Sequence, residues 1–188
     1  MRLVITQNIT LDGVVEQSER TGDWFSVVDG DPNTADLEDA MREMMSGEDA
    51  QLYGRKTFEA MRGFWPNRTD DTTGVSDHLN RVDKFVISTT MADPDWNNST
   101  VLRGDLLDEV RALKGRPGSN LGVTGSISVC RALISAGLVD EYRLLTYPVV
   151  IGPGQRLFDV DGLGAVNFEL REARPFASGV ILHRYQPT

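Results

Sequence analysis

The sequence predicts an α/β protein: a mostly parallel central sheet flanked by helices and finished by a C-terminal antiparallel hairpin. Two observations predict it. Apolar strand-like runs alternate with helix-period patterns as far as residue 148, and strand patterns dominate afterwards. Three strand ends, at 54–57, 88–90 and 124–128, also pass into turn-forming residues. At 188 residues the chain is long enough for a sizeable core, and 1–188 are expected to form one domain.

Arg2–Thr10 has the pattern of a buried strand, broken by the turn Asp12-Gly13. Residues 16–34 are polar, contain Gly22, Gly30 and Pro32, and suit a long loop. Asn33 or Thr34 can cap a helix whose apolar face is Leu37, Met41, Met44 and Met45, with Gly47 as its stop. Gln51–Tyr53 is a short strand, and Gly54-Arg55-Lys56-Thr57 turns it into a helix through about Met61. Residues 63–77 suit a loop, Lys84–Ser88 a strand, and Val101-Leu102 another short strand. Asp105 caps a helix bearing Leu106, Leu107, Val110 and Leu113. Leu121–Val123 leads through Thr124-Gly125-Ser126 into an amphipathic helix over 126–137. An apolar strand over 142–151 follows, then a hairpin from Phe168–Glu172 and Val180–Tyr185.

A net charge of −9 argues against a nucleic-acid or anionic-membrane surface, so any bound anion needs a local pocket. Cys130 is the only cysteine, which removes intramolecular disulfides and cysteine-rich zinc sites; it falls on the apolar face of the 126–137 helix and is expected in the core. His78, in a polar helix-like stretch, is expected to be exposed, and His183 to be structural; neither has a metal-ligand partner at suitable spacing, so no metal is expected. No signal-peptide pattern and no membrane-length apolar run is present, so a cytoplasmic protein is the default.

In open α/β sheets ligands bind outside the carboxyl ends of the strands, so three polar strand ends can converge on one ligand. Gly54-Arg55-Lys56-Thr57 puts two cations and a hydroxyl at a helix start, suited to phosphate or to plain capping with solvated charges. Ser88-Thr89-Thr90 closes a strand with hydroxyls, which turns also do without a ligand. Thr124-Gly125-Ser126-Ile127-Ser128 has strand, glycine and helix start in order, without the spacing of a standard dinucleotide or Walker motif.

Together these segments resemble the dihydrofolate reductase-like fold, a three-layer arrangement, and within it the riboflavin-biosynthesis reductase family. The matching residues are Thr10-Leu11-Asp12-Gly13, Leu52 to Glu59, Val86-Ile87-Ser88, Gly125-Ser126, Leu138 to Glu141 and Pro148 to Gly154, in the family's order and across most of the chain. The resemblance implies an NADPH-dependent reductase of a small, planar, pterin- or pyrimidine-like substrate. Arg55, Lys56 and Thr57, following Gly54, would face the 2′-phosphate and pyrophosphate side, joined by Ser88 and Thr89. Thr124, Gly125, Ser126, Ile127 and Ser128 would form the pyrophosphate corner; Thr6, Gln7, Asp12 and Gly13 would lie near the nicotinamide. The family's relatives are commonly homodimers, and strand 142–151 suits either an interface or the inside of the sheet.

Dihydrofolate reductases carry an acid on the helix before the motif at 54–57. Asp36 sits near that position as the candidate catalytic acid, and equally suits a helix-dipole residue. Trp24, Phe25, Phe64 and Trp65, expected in loops, can stack on a flat ring or anchor the loops to the core; Met41 can serve core and pocket alike. No H-x-E or C-x-x-C pattern occurs, so the zinc deaminase that often accompanies such reductases is not expected. Two other readings stay open: a nucleotide-binding protein without hydride transfer, and purely structural packing over 121–158.

Overall fold

The computed structural model describes residues 1–19, 21–25 and 33–188. Arg20 and residues 26–32, which include the loop markers Gly30 and Pro32, lie outside the described residues. In chain order the elements are β1 (Arg2–Thr10), α1 (Ala35–Ser46), β2 (Glu48–Gly54), α2 (Arg55–Phe64), α3 (Val75–Arg81), β3 (Asp83–Ile87), β4 (Ser99–Leu102), α4 (Leu106–Lys114), β5 (Asn120–Thr124), α5 (Ile127–Ser135), β6 (Glu141–Tyr147), β7 (Phe168–Pro175) and β8 (Ile181–Pro187). They build one eight-stranded sheet in the order β4-β3-β2-β5-β1-β6-β8-β7. Every pairing from β4 to β6 is parallel, while β8 pairs antiparallel with both β6 and β7.

Alternate strand residues enter different cores, as the two faces of a sheet require. Leu3, Ile5, Leu52, Phe85 and Tyr142 join α4 and α5 through Val110, Leu113, Cys130 and Leu133. On the other face Leu145, Tyr147 and Leu182 pack with Leu37 and Ala40 of α1, and Tyr53 and Val86 pack with Phe58 of α2 and Leu79 of α3. The protein is therefore a three-layer α/β/α fold, as the resemblance implies, with α1, α2 and α3 on one side and α4 and α5 on the other.

Several expected boundaries move. β2 begins at Glu48, and α2 continues past Met61 to Phe64, so Phe64 is helical. The segment 63–77 ends inside a helix, because α3 starts at Val75. β6 stops at Tyr147 and lies between β1 and β8, so it offers no free edge for an interface; the free edges belong to β4 and β7. His78 is buried rather than exposed, at 3 % relative exposure. α3 also buries Ser76 and Leu79, and His78 Nε2 lies 3.4 Å from the Glu48 carboxylate.

Glu48 belongs to a buried polar cluster at the amino ends of the strands. Gln51 donates to it in a short contact, and Arg143 lies 4.0 Å away. Gly122 on the next strand makes room for the pair, since a Cβ there would come within 2.7 Å of Gln51 Nε2 and 2.8 Å of the Glu48 carboxylate. Fully buried Glu141 accepts from Arg143 at 2.8 Å, Arg184 at 3.0 Å and Arg2 at 3.1 Å. Arg143 also donates to the Met44 carbonyl, which ties α1 to the cluster. Lys84 is buried as well; its ammonium donates to the Leu79 and Val82 carbonyls at 2.6 and 2.9 Å and lies over Trp96, and burial lowers its pKa to about 8.

Burial pushes the Glu141 carboxyl up, but the bonds and charges of Arg143 and Arg184 outweigh it, leaving the pKa below the ordinary value. A carboxylate held low contributes stability above its unfolded pKa of about 4.3, and this is lost as pH falls through the folded value. Removing one member of a buried ion pair strands the others. Glu141→Ala should therefore lower the unfolding free energy by about 3–5 kcal/mol in denaturant titrations. Glu141→Gln should flatten the loss of stability below pH of about 4 relative to the unsubstituted protein.

Candidate functional site

The carboxyl ends of β2 and β5 lie side by side, and their helices leave in opposite directions. α2 covers the face of Tyr53 and Val86, whereas α5 covers the face of Leu3 and Leu52. Adjacent strands with connections to opposite faces open a crevice at their ends, where α/β proteins bind ligands. The regular β2–β5 ladder reaches only Gln51↔Gly122. Beyond it two side chains join the turns: Ser126 Oγ accepts from the Gly54 amide at 2.9 Å, and Thr57 Oγ1 accepts from the Ser126 amide at 3.0 Å.

The two helices that start here differ from the rest. α1, α3 and α4 each carry an acid in the first turn, and Asp105 caps α4 by accepting from the Leu107 and Asp108 amides. α2 and α5 have neither a first-turn acid nor a side-chain cap. Their leading amides, including those of Ile127 and Ser128, face the crevice end with the positive pole of each helix dipole. Gly125 and Ser126 are both left-handed, at φ +65° and +53°, and such strain in a non-glycine residue is a mark of functional turns. A Cβ on Gly125 would lie 2.9 Å from Thr57 Cγ2, so the turn closes only around glycine.

The cations stand at the rim. Arg55 is exposed and pairs with Glu59 at 3.1 Å; Lys56 is exposed with no hydrogen bond or ion pair among the described residues. Ser88 Oγ accepts from the Thr90 and Met91 amides, leaving its own hydrogen to donate, and Thr89 is exposed beside it. Arg103, which sequence reasoning missed, donates to the Thr89 and Met91 carbonyls at 3.3 and 2.6 Å and adds a third cation. The available signal was its place directly after the strand at 101–102, the position that singled out the other turns.

From β1, Gln7 donates to the Gly125 carbonyl at 2.9 Å and bonds Cys130 Sγ, so it supports the turn from beneath. Cys130 is core, its thiol pushed up to about 12 by burial. Thr6 lies beside Thr124 in the ladder, and its buried hydroxyl has no partner among the described residues. Asp12 accepts from Thr10 Oγ1 and from the Ile151 and Gly152 amides, which lowers its pKa. Its carboxylate thus clasps the 148–154 segment, with Gly13 completing the turn at φ +84°.

The opposite wall is less convergent. Asp36 is exposed and accepts from its neighbour Leu37 N at 2.8 Å and from Ala177 N, in the β7–β8 turn, at 2.9 Å. Trp24 is buried against Phe25 and Tyr147 and donates to the Glu16 carbonyl, as a loop anchor does. Phe64 and Trp65 meet edge to face, with the Arg68 guanidinium 4.7 Å from the Phe64 ring. Met41 is half-buried on the α1 core. A mainly apolar hollow of about 290 Å³ near Tyr142, Phe158 and Phe168 lies on the α5 side. It has no charged side chain in its lining, and we place the site at the turns.

The profile of the RibD C-terminal domain matches residues 2–182. The chain belongs to the RibD C-terminal domain family. Uncharacterized protein YyaP of Bacillus subtilis (strain 168) is 32 % identical over 182 residues, covering 96 % of this chain and 92 % of YyaP. Among solved structures, the diaminohydroxyphosphoribosylaminopyrimidine deaminase/5-amino-6-(5-phosphoribosylamino)uracil reductase of Thermotoga maritima superposes with a TM-score of 0.69 at 16 % identity. All of this chain is covered, and 56 % of that longer one. The dihydrofolate reductase of Enterococcus faecalis, complexed with NADP(H), gives 0.63 at 15 % identity over 100 % of this chain and 96 % of that one. At these identities the two structures establish the fold, and no helix among the described residues is long and apolar enough to cross a membrane.

Gly125→Ala forces a side chain into a left-handed backbone and against Thr57. It should cost about 1–3 kcal/mol in thermal or chemical unfolding. Thr57→Val removes the acceptor for Ser126 N without the strain and should destabilise less.

Proposed function

We propose that the protein is an NADPH-dependent reductase of a small planar heterocycle of pterin or pyrimidine type. The observation that carries the proposal is the pair of adjacent, uncapped, acid-free helix starts at the β2 and β5 ends, with Arg55 and Lys56 on the β2 turn. Membership of a reductase-domain family and the likeness to a fold that holds NADP(H) support it.

The residues present fit the cofactor. Gly125, Ser126, Ile127 and Ser128 would receive the pyrophosphate on amides that lack internal partners. Lys56 and Arg55, with Ser88, Thr89 and Arg103 at the ends of the neighbouring strands β3 and β4, would hold the 2′-phosphate by charge-assisted bonds. The bound nicotinamide would supply the hydride, leaving the protein to bind, orient and exclude water. Asp36 is oriented by its bonds to the Leu37 and Ala177 amides, toward the β7–β8 turn. That engagement supports a second reading, a nucleotide-binding protein without hydride transfer. NADPH consumption over a heterocycle panel separates the two.

The 2′-phosphate assignment has its own test. The Arg55→Ala/Lys56→Ala double variant should weaken NADPH by about 10–100-fold while changing NADH by less than about threefold, by calorimetry. Equal losses for both nucleotides would remove the 2′-phosphate from this turn.

A further inference from the structure

The peptide unit that joins Gly125 to Ser126 is held from three elements. Its carbonyl accepts from Gln7 Nε2 of β1 at 2.9 Å and from the Cys130 thiol of α5 at 3.2 Å. Its amide donates to Thr57 Oγ1 of α2 at 3.0 Å. The carbonyl and N–H of a trans peptide point in opposite directions, so the three contacts fix the plane of this unit. Gln7 and Cys130 also meet each other, with Nε2 3.5 Å from Sγ. A carboxamide nitrogen carries two hydrogens, and these two contacts account for both.

The plane needs holding. Ser126 sits at φ +53° and ψ +52°, a left-handed conformation disfavoured for a residue with a Cβ. A flip of the 125–126 peptide returns φ of Ser126 to negative values and relieves that strain. The same flip aims the Gly125 carbonyl at the start of α2, an oxygen where an anion has to lie. Gln7 and Cys130 oppose it from below. Both are buried, at 4 % and 0 % relative exposure. Burial pushes the Cys130 thiol up to about 12, so it stays protonated and remains a donor.

We propose that Gln7 and Cys130 are positioning residues for the pyrophosphate corner: by holding the Gly125 carbonyl they keep the turn in the orientation that receives the anion, and Gln7 does not touch the nicotinamide. The proposal rests on the cofactor reading, and it replaces the nicotinamide contact that the family resemblance implies for Gln7. A buried side chain with both amide hydrogens engaged acts through the turn rather than on a ring in the crevice.

The test is calorimetry with NADP+ and with ADP-ribose 2′-phosphate, which keeps the pyrophosphate and the 2′-phosphate and lacks the nicotinamide. Gln7→Met, similar in length but without a donor, should weaken both ligands by about 5–20-fold and by the same factor. A loss confined to NADP+ would return Gln7 to the nicotinamide. Gln7→Glu gives a readout that packing alone would not move. Its carboxyl donates to the Gly125 carbonyl only when protonated, and burial favours the protonated form. Its affinity relative to the unsubstituted protein should be lowest at about pH 8 and rise at least about threefold by about pH 5. Cys130→Ser, which keeps a donor, should bind ADP-ribose 2′-phosphate at least about threefold more tightly than Cys130→Val. If Gln7→Met fails to fold, Gln7→Glu at about pH 8 makes the same comparison of the two ligands. Unequal losses, no loss, a pH-independent Gln7→Glu, or equal binding by the two Cys130 variants overturns the assignment. Binding of both ligands by the unsubstituted protein, unmoved in the variants, sinks the clamp alone. Absence of binding by the unsubstituted protein sinks the cofactor reading and the clamp with it.

Discussion

The side-chain link across the β2 and β5 ends is the constraint on which the candidate site depends. Where the ladder between these strands gives out, Ser126 Oγ holds the Gly54 amide and Thr57 Oγ1 holds the Ser126 amide. Each bond contributes only about 0.5–1.5 kcal/mol net. Their geometric effect is larger than their energy. They fix two helix starts at one point, and the left-handed turn at Gly125 and Ser126 is the backbone cost of bringing α5 there. Filling those starts with first-turn acids, as in α1, α3 and α4, would stabilise the free protein by about 0.3–1 kcal/mol per helix. Their absence from α2 and α5 leaves the positive poles of these two helices without an acid of their own.

Charge works on two scales. The chain carries −9 overall, a field that repels a polyanionic nucleotide at long range. The Debye length is about 8 Å at physiological ionic strength, so distant acids are largely screened while a cation in contact is not. Only cations at the strand ends themselves, such as Arg55 and Lys56 after β2 and Arg103 after β4, could offset it locally. Arg103 also braces the Ser88–Met91 turn through two carbonyls, so the cation and the loop it would serve are positioned together.

The turns were legible because they are local. Gly54–Thr57 and Thr124–Ser128 announce themselves by glycine, hydroxyl and charge within a few residues, and the structure brings them together as the strand-end rule requires. The layer order was legible for a related reason: alternation of strands and helices leaves few ways to cover both faces of a parallel sheet. The buried ion cluster was not. Glu48, His78, Glu141, Arg143 and Arg184 come from four different elements, and each alone looks like an ordinary surface charge. His78 misled for the same reason, since its burial follows from the packing of α3 on the sheet, which brings it to Glu48, thirty residues upstream on β2. The role of Asp36 was ambiguous because a first-turn acid serves a helix dipole and a substrate equally well in sequence; only the Ala177 amide shows where its carboxylate is spent.

That cluster and Thr6 of β1 share one face of the sheet, and the contrast between them is informative. At the amino ends, Glu141 is met by three arginines and Arg143 reaches the last turn of α1, so charge is neutralised within the fold. Two pleats along β1, the buried Thr6 hydroxyl has no partner among the described residues. The cluster pairs its charges but leaves neutral groups open, since Gln51 Oε1 and both His78 ring nitrogens also lack a hydrogen-bond partner there. Ion pairs are thus completed first, because an unpaired buried charge costs far more than an unpaired hydroxyl or amide oxygen. The cluster anchors α1 on one side of this face, and α2 and α3 stand on the other.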